Sequence, residues 1–121
     1  MLRLALATLL AAPLLAGSAP AFAAQQDFTL VNKTGYPIES VYVSKTNTNS
    51  WEEDVLGRDT LDDGEHVNIS FEKGTRGCAY DLMVKYSDGD KSEWHNIDLC
   101  SLSRISLYWD RKAGTTRAVG E

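Results

Sequence analysis

The stretch CAYDLMVKYSDGDKSEWHNIDLC, residues 78–100, decides the fold because it has the pattern of one complete β-hairpin with a cysteine at each end. In its first half every second residue is a large apolar one, which is the period-two pattern of a half-buried strand. The residues of this apolar face are Tyr80, Leu82, Val84 and Tyr86. Ser87-Asp88-Gly89-Asp90 then signals a tight turn. Residues 91–98 are therefore predicted to return as an antiparallel partner strand.

The two cysteines help to define the register of this hairpin. One register aligns three complementary pairs across it: Cys78 with Cys100, Lys85 with Glu93, and Val84 with Trp94. These are a disulfide, an ion pair and an aromatic/β-branched pair, and their alignment requires a bulge or a turn longer than two residues. In a chain exported to an oxidising compartment, an even number of cysteines favours a disulfide. Closing a loop of this length stabilises a domain by roughly 3 kcal/mol in the chain-entropy model.

Alternation of the same kind extends in both directions from the hairpin. It predicts further strands over residues 28–32, 41–43, 67–71 and 105–109, and a short last strand over residues 115–119. Turn-forming residues separate these segments at the short spacing of a β-sandwich or a small barrel. We therefore expect an all-β fold, a small antiparallel β-sandwich of six or seven strands closed by one disulfide.

One short helical turn is expected to interrupt the strands. Ser50 and Glu53 have the S-x-x-E spacing of a capping box, and Gly57 stands where a C′ glycine ends a helix. Trp51 and Val55 are four residues apart, so on a helix they would share one face and pack on the sheet.

Residues 1–23 have the features of a secretory signal peptide. An early cation, Arg3, precedes an apolar run over residues 4–16, and Ala21-Phe22-Ala23 is a small-x-small cleavage site. We expect residues 24–121 to remain as one β-sandwich domain that is periplasmic or secreted. No later segment has the roughly 20 apolar residues that a membrane span needs, so this domain is not expected to span a membrane.

Charge narrows the classes of partner. The 121-residue chain has a formal net charge of −5, and no cluster of lysines and arginines stands out along it. Nucleic-acid binding needs such a basic face, so it is excluded. Acidic residues are concentrated in residues 52–65, where Arg58 is the one basic residue. A partner attracted by charge should meet this acidic segment.

The acidic segment, residues 52–65, has three interpretations: a solvated connection between strands, a docking patch for a basic partner, or a Ca²⁺ site. Ca²⁺ prefers six to eight oxygen ligands, which clustered carboxylates supply. Counted from Asp59 the segment resembles an EF-hand loop, but Leu61 at the third position and Ser70 at the twelfth do not fit that motif. The candidate Ca²⁺ ligands are Asp54, Asp59, Asp62 and Asp63.

The sequence has no catalytic motif. It lacks the G-x-S-x-G elbow, the H-E-x-x-H zinc motif and a phosphate-binding glycine loop. His66 and His95 are not spaced as a motif, and we interpret them as surface or half-buried structural residues. We assign no catalytic residue, and no cofactor apart from the hypothetical Ca²⁺.

The aromatic residues have two interpretations, a binding surface at the rim of the core or side chains that close its ends, and we favour the second. They are more numerous than the core can hold, so some must lie at its rim, where sandwich loops often bind partners or sugars. The alternative is that Trp51 and Trp94 close the two ends of the core. The aromatic residues concerned are Tyr36, Tyr42, Trp51, Trp94, Tyr108 and Trp109.

Five segments resemble a group of small exported bacterial proteins with no established activity. They are FTLVNKTGY (28–36), VYVS (41–44), WEEDVLG (51–57), NIDLC (96–100) and YWDRK (108–112). Members of the group often carry the label argininosuccinate lyase, which we reject for this chain. That enzyme is a long, mostly helical oligomer with a Gly-Ser-Ser-x-Met-Pro loop, and this sequence has no such loop. The resemblance therefore transfers no catalytic residue.

These observations favour an exported, non-enzymatic binding or interaction domain whose partner is an envelope protein or a small ligand. We take Trp51, Glu52, Glu53 and Asp54 as its interaction residues. The first alternative is a periplasmic domain that Ca²⁺ stabilises through the acidic segment. The second, a small hydrolase or inhibitor, has no motif in its favour, and fold class alone does not establish function.

Overall fold

Alternating apolar and polar residues form seven strands in residues 24–121, the part of the chain that the computed structural model describes. The predicted signal peptide, residues 1–23, lies outside the described residues. The strands are β1 Phe28–Lys33, β2 Ile38–Lys45, β3 His66–Ile69, β4 Ala79–Tyr86, β5 Lys91–Asp98, β6 Arg104–Asp110 and β7 Thr115–Gly120. One turn of 3₁₀-helix, Leu99–Ser101, follows β5.

The strands form two sheets, with the order β3-β1-β6-β7 in the first and β2-β4-β5 in the second. Their apolar faces share one core, so the predicted all-β sandwich of six or seven strands with one disulfide is confirmed, with seven strands. Neighbouring strands pair antiparallel except for β1 and β6, which run parallel with Leu30 beside Ile105. A parallel pair needs a long crossover, and all three strands of the second sheet supply it here.

The core lies between the two sheets. β1 and β6 contribute Phe28, Leu30 and Leu107, and β4 contributes Leu82 and Val84, all of them at most 2% exposed. Full burial of a side chain of this size stabilises a fold by about 1.5–3 kcal/mol. The period-two spacing therefore places one apolar face of each central strand inside the sandwich.

The central hairpin confirms the predicted disulfide but not the predicted register. Cys78 and Cys100 are bonded, with their Cα atoms 5.3 Å apart, just beyond the ends of β4 and β5. The pairs inside the ladder differ from the prediction: Leu82 lies opposite Trp94, Val84 opposite Ser92, and Lys85 opposite Lys91. The disulfide thus closes the open end of the hairpin as expected. The other two predicted pairs do not form, because Lys85 does not face Glu93 and Val84 does not face Trp94.

Two local features produce this register. The Tyr86 N–H donates to the Asp90 carbonyl over 2.7 Å, which leaves a loop of residues 87–89 with Gly89 in the left-handed region at φ 94°. Further along β5, Asn96 has a φ of 58°, and the register shifts opposite Tyr80 and Leu82. A bulge is therefore present, as the sequence predicted, and it brings the two cysteines within bonding distance.

The helical turn predicted at residues 50–57 is absent. Residues 55–58 form an isolated turn, and the 3₁₀-helix of the domain lies at Leu99–Ser101 instead. The predicted capping box does not form because the Asp54 carboxylate takes that role: its Oδ1 accepts from the Leu56 N–H over 3.0 Å. Gly57 does adopt the left-handed conformation expected of it, with a φ of 64°.

The segment after β2 covers the free edge of that strand. The Val41 N–H donates to Asp54 Oδ1 over 2.9 Å, and the Val55 N–H donates to the Val41 carbonyl over 2.8 Å. Leu61 makes an isolated bridge to Ile38 at the start of the same strand. Because an uncovered strand edge invites pairing with other chains, this segment protects the second sheet.

The described chain begins with a short segment fastened to the loop before β4. Asp27 is only 3% exposed, and its Oδ1 accepts from the Phe71 N–H over 2.7 Å. Its Oδ2 accepts from the Ala24 N–H over 3.1 Å. Gln26 Nε2 donates to the carbonyls of Thr75 and Gly77.

None of the described residues belongs to a helix with the length and apolar character that crossing a membrane requires.

Candidate functional site

Two connections and the end of β6 line a concave site of 330 Å³. The loop after β1, the β4–β5 turn and the last part of β6 bring their side chains together there. We call it the aromatic pocket, and its lining residues are Tyr36, Pro37, Tyr86, Ser87, Asp88, Asp90 and Trp109. Its volume is at the lower end of the range for small-ligand sites, about 300–1,000 Å³.

Three aromatic rings form the walls of the aromatic pocket. The centroid of the Trp109 ring lies 6.0 Å from that of Tyr36 and 6.4 Å from that of Tyr86. The planes of both tyrosines are nearly perpendicular to the indole, at 81° and 84°. Aromatic pairs favour this edge-to-face geometry. The rings therefore support one another, while Tyr36 remains 49% exposed and open to a ligand.

A buried asparagine holds the Tyr36 loop in place. Asn32 is fully buried, and its Nδ2 donates to the carbonyls of Tyr36 and Leu61, both over 2.8 Å. Its Oδ1 accepts from the N–H and the hydroxyl of Thr34 over 3.0 Å and 2.7 Å. The Gly35 N–H donates to Asp63 Oδ1 over 2.8 Å. This wall of the pocket is therefore fixed from both sides of the loop.

Tyr86 is fixed by its own hydroxyl. The phenol group shares a short, buried hydrogen bond with the Thr116 hydroxyl on β7. Burial raises the pKa of Tyr86, and the bond to Thr116 partly opposes that rise. Tyr86 is only 6% exposed and stays a neutral phenol at physiological pH. It therefore forms a stable inner wall and not a proton-transfer group.

The charged groups of the aromatic pocket are acidic. Asp88 and Asp90 lie on the turn between β4 and β5, and no lysine or arginine is among the lining residues. Asp88 Oδ1 accepts from the Asp90 N–H over 3.0 Å, which rigidifies the turn. The negative charge of Asp88 also contributes to the raised pKa of Tyr86, after burial. The pocket therefore combines aromatic walls with a negative potential.

A second arrangement of titratable groups lies on the outer face of the second sheet. We call it the His95 cluster, and it consists of Asp81, Glu93 and His95. His95 Nδ1 lies 2.9 Å from Asp81 Oδ2, and its Nε2 lies 3.3 Å from Glu93 Oε1. The hydrogen bond to Asp81 raises the pKa of His95, and the negative charges of both carboxylates raise it further. Partial burial opposes ionisation of Asp81, but hydrogen bonds from Asn96, His95 and Thr46 outweigh it and lower the pKa of Asp81.

The His95 cluster is arranged to hold a charged imidazole. Both ring nitrogens face carboxylate oxygens, so neither offers a lone pair to a metal ion or to a substrate proton. The nearby Ser44 hydroxyl lies 3.3 Å from the Ser50 carbonyl and also accepts from the Glu52 N–H. No hydrogen bond joins this serine to His95 among the contacts of residues 24–121. The geometry therefore favours a structural ion pair over a catalytic triad.

The predicted interaction residues lie beside this cluster and not at the aromatic pocket. Trp51 is half-buried, with its ring centroid 6.4 Å from that of His95, and it lines a small cavity of 120 Å³. Glu52 and Glu53 are exposed. Asp54 is half-buried, and its Oδ1 accepts two backbone N–H groups, as described above. Trp51 and Asp54 therefore contribute to holding the loop against the second sheet.

The four candidate Ca²⁺ ligands are not brought together. Asp63 accepts from the Gly35 N–H, and Asp54 accepts from β2 and from Leu56. Asp59 and Asp62 line an open cleft over residues 56–67. Across residues 24–121, ligand-type atoms lie within 4.8 Å of one another in one group of three, Cys78, Asp98 and Cys100, and its cysteines are joined by the disulfide. The Ca²⁺ hypothesis stays a prediction that this arrangement does not favour.

The sequence analysis identified part of the aromatic pocket. Tyr36 and Trp109 are among the aromatics expected at the rim, whereas Tyr86 was assigned only to the apolar face of its strand. The turn signals around Tyr36 and Asp88 are both visible in the sequence. Both turns lie at one end of the sandwich because β2 pairs with β4, with Ile38 opposite Tyr86, and Trp109 joins them because β1 and β6 run parallel. No local pattern indicates these pairings.

Comparison with known proteins supports the fold and adds no function. No family model matches the chain, and no curated protein matches it. The structure is similar to the NMR structure of a protein from Eubacterium rectale, with a TM-score of 0.55 and 15% sequence identity. The similarity covers 78% of this chain and 85% of the other. At this identity the likeness establishes a shared fold alone.

Proposed function

We propose that this chain is an exported, non-enzymatic binding domain, periplasmic or secreted, and that the aromatic pocket is its ligand site. The observation that carries the proposal is the set of rings at Tyr36, Tyr86 and Trp109, in which both tyrosines stand nearly perpendicular to the indole and the Tyr36 side is open to solvent. Concave sites with aromatic walls and a few convergent polar groups are the usual form of small-ligand sites. The predicted signal peptide and the Cys78–Cys100 disulfide support export.

The aromatic pocket is a better candidate than the segment around Trp51. Asp54 is engaged by two backbone N–H groups, and Trp51 packs beside His95. In contrast, the Tyr36 ring is exposed although hydrogen bonds hold its loop rigidly. A large aromatic group that is exposed and rigid loses little conformational entropy when it binds a partner. We therefore place ligand contact at Tyr36 and Trp109.

The proposal can be tested by nuclear magnetic resonance on ¹⁵N-labelled residues 24–121 with a library of small polar and apolar fragments. We expect chemical-shift changes at Tyr36, at Gly89 and at the Trp109 indole N–H. Trp109→Leu should abolish the changes at Tyr36 and Gly89 while a thermal melt shows that the variant still folds. The matched control is Trp51→Phe, which changes a half-buried tryptophan outside the aromatic pocket and should bind as the natural chain does.

Two outcomes would contradict the proposal. Shift changes confined to residues 51–54 would move the ligand site to the segment predicted from the sequence. A library without a single fragment that perturbs Tyr36 or Trp109 would remove the aromatic pocket as a binding site.

A further inference from the structure

We infer that the ligand of the aromatic pocket is a small organic cation, an alkylated ammonium group, and this inference rests on the proposed function above. Three features support it: the arrangement of the rings, the charge of the turn beside them, and the lack of a competing cation in the lining. Each is a property of the described residues and is independent of the fold comparison.

The rings surround a compact group better than a flat one. Because the planes of Tyr36 and Tyr86 stand nearly perpendicular to Trp109, the three rings do not form one flat platform. A pyranose sugar stacks on such a platform, whereas a nearly spherical ammonium group with methyl substituents touches several differently oriented rings at once. Cations are attracted to the negative faces of aromatic rings, and tryptophan is the strongest such partner.

The charge of the pocket matches a cation. Asp88 and Asp90 both line it, and only one oxygen of Asp88 is engaged by the neighbouring backbone. The lining contains no basic residue to neutralise these carboxylates. The whole chain also has a net charge of −5, which favours the approach of cations over anions. An anion would meet repulsion both at long range and inside the pocket.

The source of the ammonium group is either a free small molecule or the side chain of a methylated or unmodified lysine. Both present the same chemistry to the rings. A free ligand enters the pocket whole, whereas a lysine side chain needs the chain around it to approach the exposed edge at Tyr36. The experiment below separates these sources.

The decisive comparison is between choline and 3,3-dimethylbutan-1-ol, which have the same shape and differ in charge. Titrations followed by the shift of the Trp109 indole N–H should give choline the higher affinity by about tenfold, as expected for a cation over aromatic faces with nearby carboxylates. Asp88→Asn keeps the Oδ1 atom that accepts from the Asp90 N–H. This substitution should weaken the affinity for choline severalfold and leave the affinity for the neutral alcohol unchanged.

The control is Asp59→Asn, which makes the same change of charge in the open cleft of residues 56–67 and should leave the affinity for choline nearly unaltered. A third titration uses Nα-acetyl-lysine methylamide. Binding of this probe without binding of choline would assign the site to a lysine side chain and still support the cation.

Equal affinity for choline and the alcohol would overturn the inference while leaving the aromatic pocket as a ligand site. Preferential binding of glucose over choline would do the same. Failure of every probe, together with a silent fragment library, would instead contradict the proposed function itself.

Discussion

Asn32 has a fully buried amide that satisfies two carbonyls and two donors of the surrounding loops. Asn32→Leu would keep the volume but remove four hydrogen bonds and leave the buried Thr34 N–H without its acceptor. The carbonyls of Tyr36 and Leu61 would each keep one other donor, the Thr34 hydroxyl and the Ile38 N–H. A lost hydrogen bond costs about 0.5–1.5 kcal/mol and an unsatisfied buried group about 1–3 kcal/mol, so we expect a loss of roughly 3 kcal/mol in the free energy of unfolding, measured with urea. Asn68→Leu, on the exposed face of β3, is the control and should change stability by less than about 0.5 kcal/mol. Equal effects of the two substitutions would contradict the role of Asn32.

His95 gives the domain a pH-dependent contribution to stability. Its pKa is raised in the folded chain, first by the hydrogen bond to Asp81. The stabilisation is therefore fully present below the unfolded pKa of about 6.5 and is lost as pH rises through the raised folded value. The Asp81 pKa is lowered, so its contribution is present above its ordinary value and is lost as pH falls through the lowered one. Between these limits the ion pair is complete.

The measurement is the melting temperature of the natural chain minus that of His95→Gln, recorded over a range of pH. We expect this difference to be largest between about pH 4 and pH 6.5 and to shrink as the pH rises through the raised pKa of His95, where the imidazolium is lost. The control is His66→Gln, which changes an exposed histidine on β3 outside the His95 cluster. A difference that grows with pH would show that protonated His95 does not stabilise the folded domain.

At the scale of elements, the free edge of β2 depends on the carboxylate of Asp54. Asp54→Ala removes the acceptor of the Val41 N–H and of the Leu56 N–H. We expect a loss of roughly 1–2 kcal/mol in unfolding free energy and faster hydrogen exchange at the Val41 amide. An exposed edge pairs with other chains, so size-exclusion chromatography should also show more dimer. Glu53→Ala, at an exposed neighbour, should leave both measurements unchanged; unaltered exchange in Asp54→Ala would contradict the edge-covering role.

At the scale of the whole molecule, the Ca²⁺ hypothesis predicts a melting temperature that depends on Ca²⁺. A ligand present at 100 times its Kd stabilises the native state by about 2.7 kcal/mol, which would raise the melting temperature by many degrees. Since the carboxylates of Asp54, Asp59, Asp62 and Asp63 do not converge, we expect coincident melts of residues 24–121 in excess EDTA and in millimolar Ca²⁺. A rise specific to Ca²⁺, with Mg²⁺ as the control, would establish a metal site in the acidic segment.

Most of the strands could be predicted from the sequence because each has one face in the core, and a half-buried strand has a two-residue period. The disulfide could be predicted because an even number of cysteines favours a disulfide in a chain that is predicted to be exported. The hairpin register could not, since it depends on the backbone of Gly89 and Asn96. The prediction of a helical turn at residues 50–57 was wrong because the Asp54 carboxylate accepts a hydrogen bond from the Val41 N–H on β2, 13 residues away in sequence.

The aromatic pocket could be predicted only in part, for the same physical reason. Composition shows that some aromatic side chains must remain outside the core, and Tyr36 and Trp109 are among those expected at the rim. Tyr36 and Trp109 meet because β1 and β6 pair in parallel, and Tyr86 joins them because β2 pairs with β4, with Ile38 opposite Tyr86. Local patterns do not specify such long-range pairings.

The contact between Ala24 and Asp27 bears on when this domain reaches its full stability. In the uncleaved chain the Ala24 nitrogen is a neutral amide, 3.1 Å from Asp27 Oδ2. Cleavage after Ala23, which we propose, would turn that nitrogen into an ammonium group beside a carboxylate that is almost inaccessible to solvent. Charge-assisted hydrogen bonds are roughly twice as strong as neutral ones.

Removal of the signal peptide would then increase the stability of the folded domain after translocation. Nα-acetylation of a chain that begins at Ala24 keeps the N–H donor but removes its charge. We expect this acetylated chain to melt at a lower temperature than the free-amine form, and Asp27→Asn to erase the difference. Identical melts of the two forms would show that maturation leaves stability unchanged.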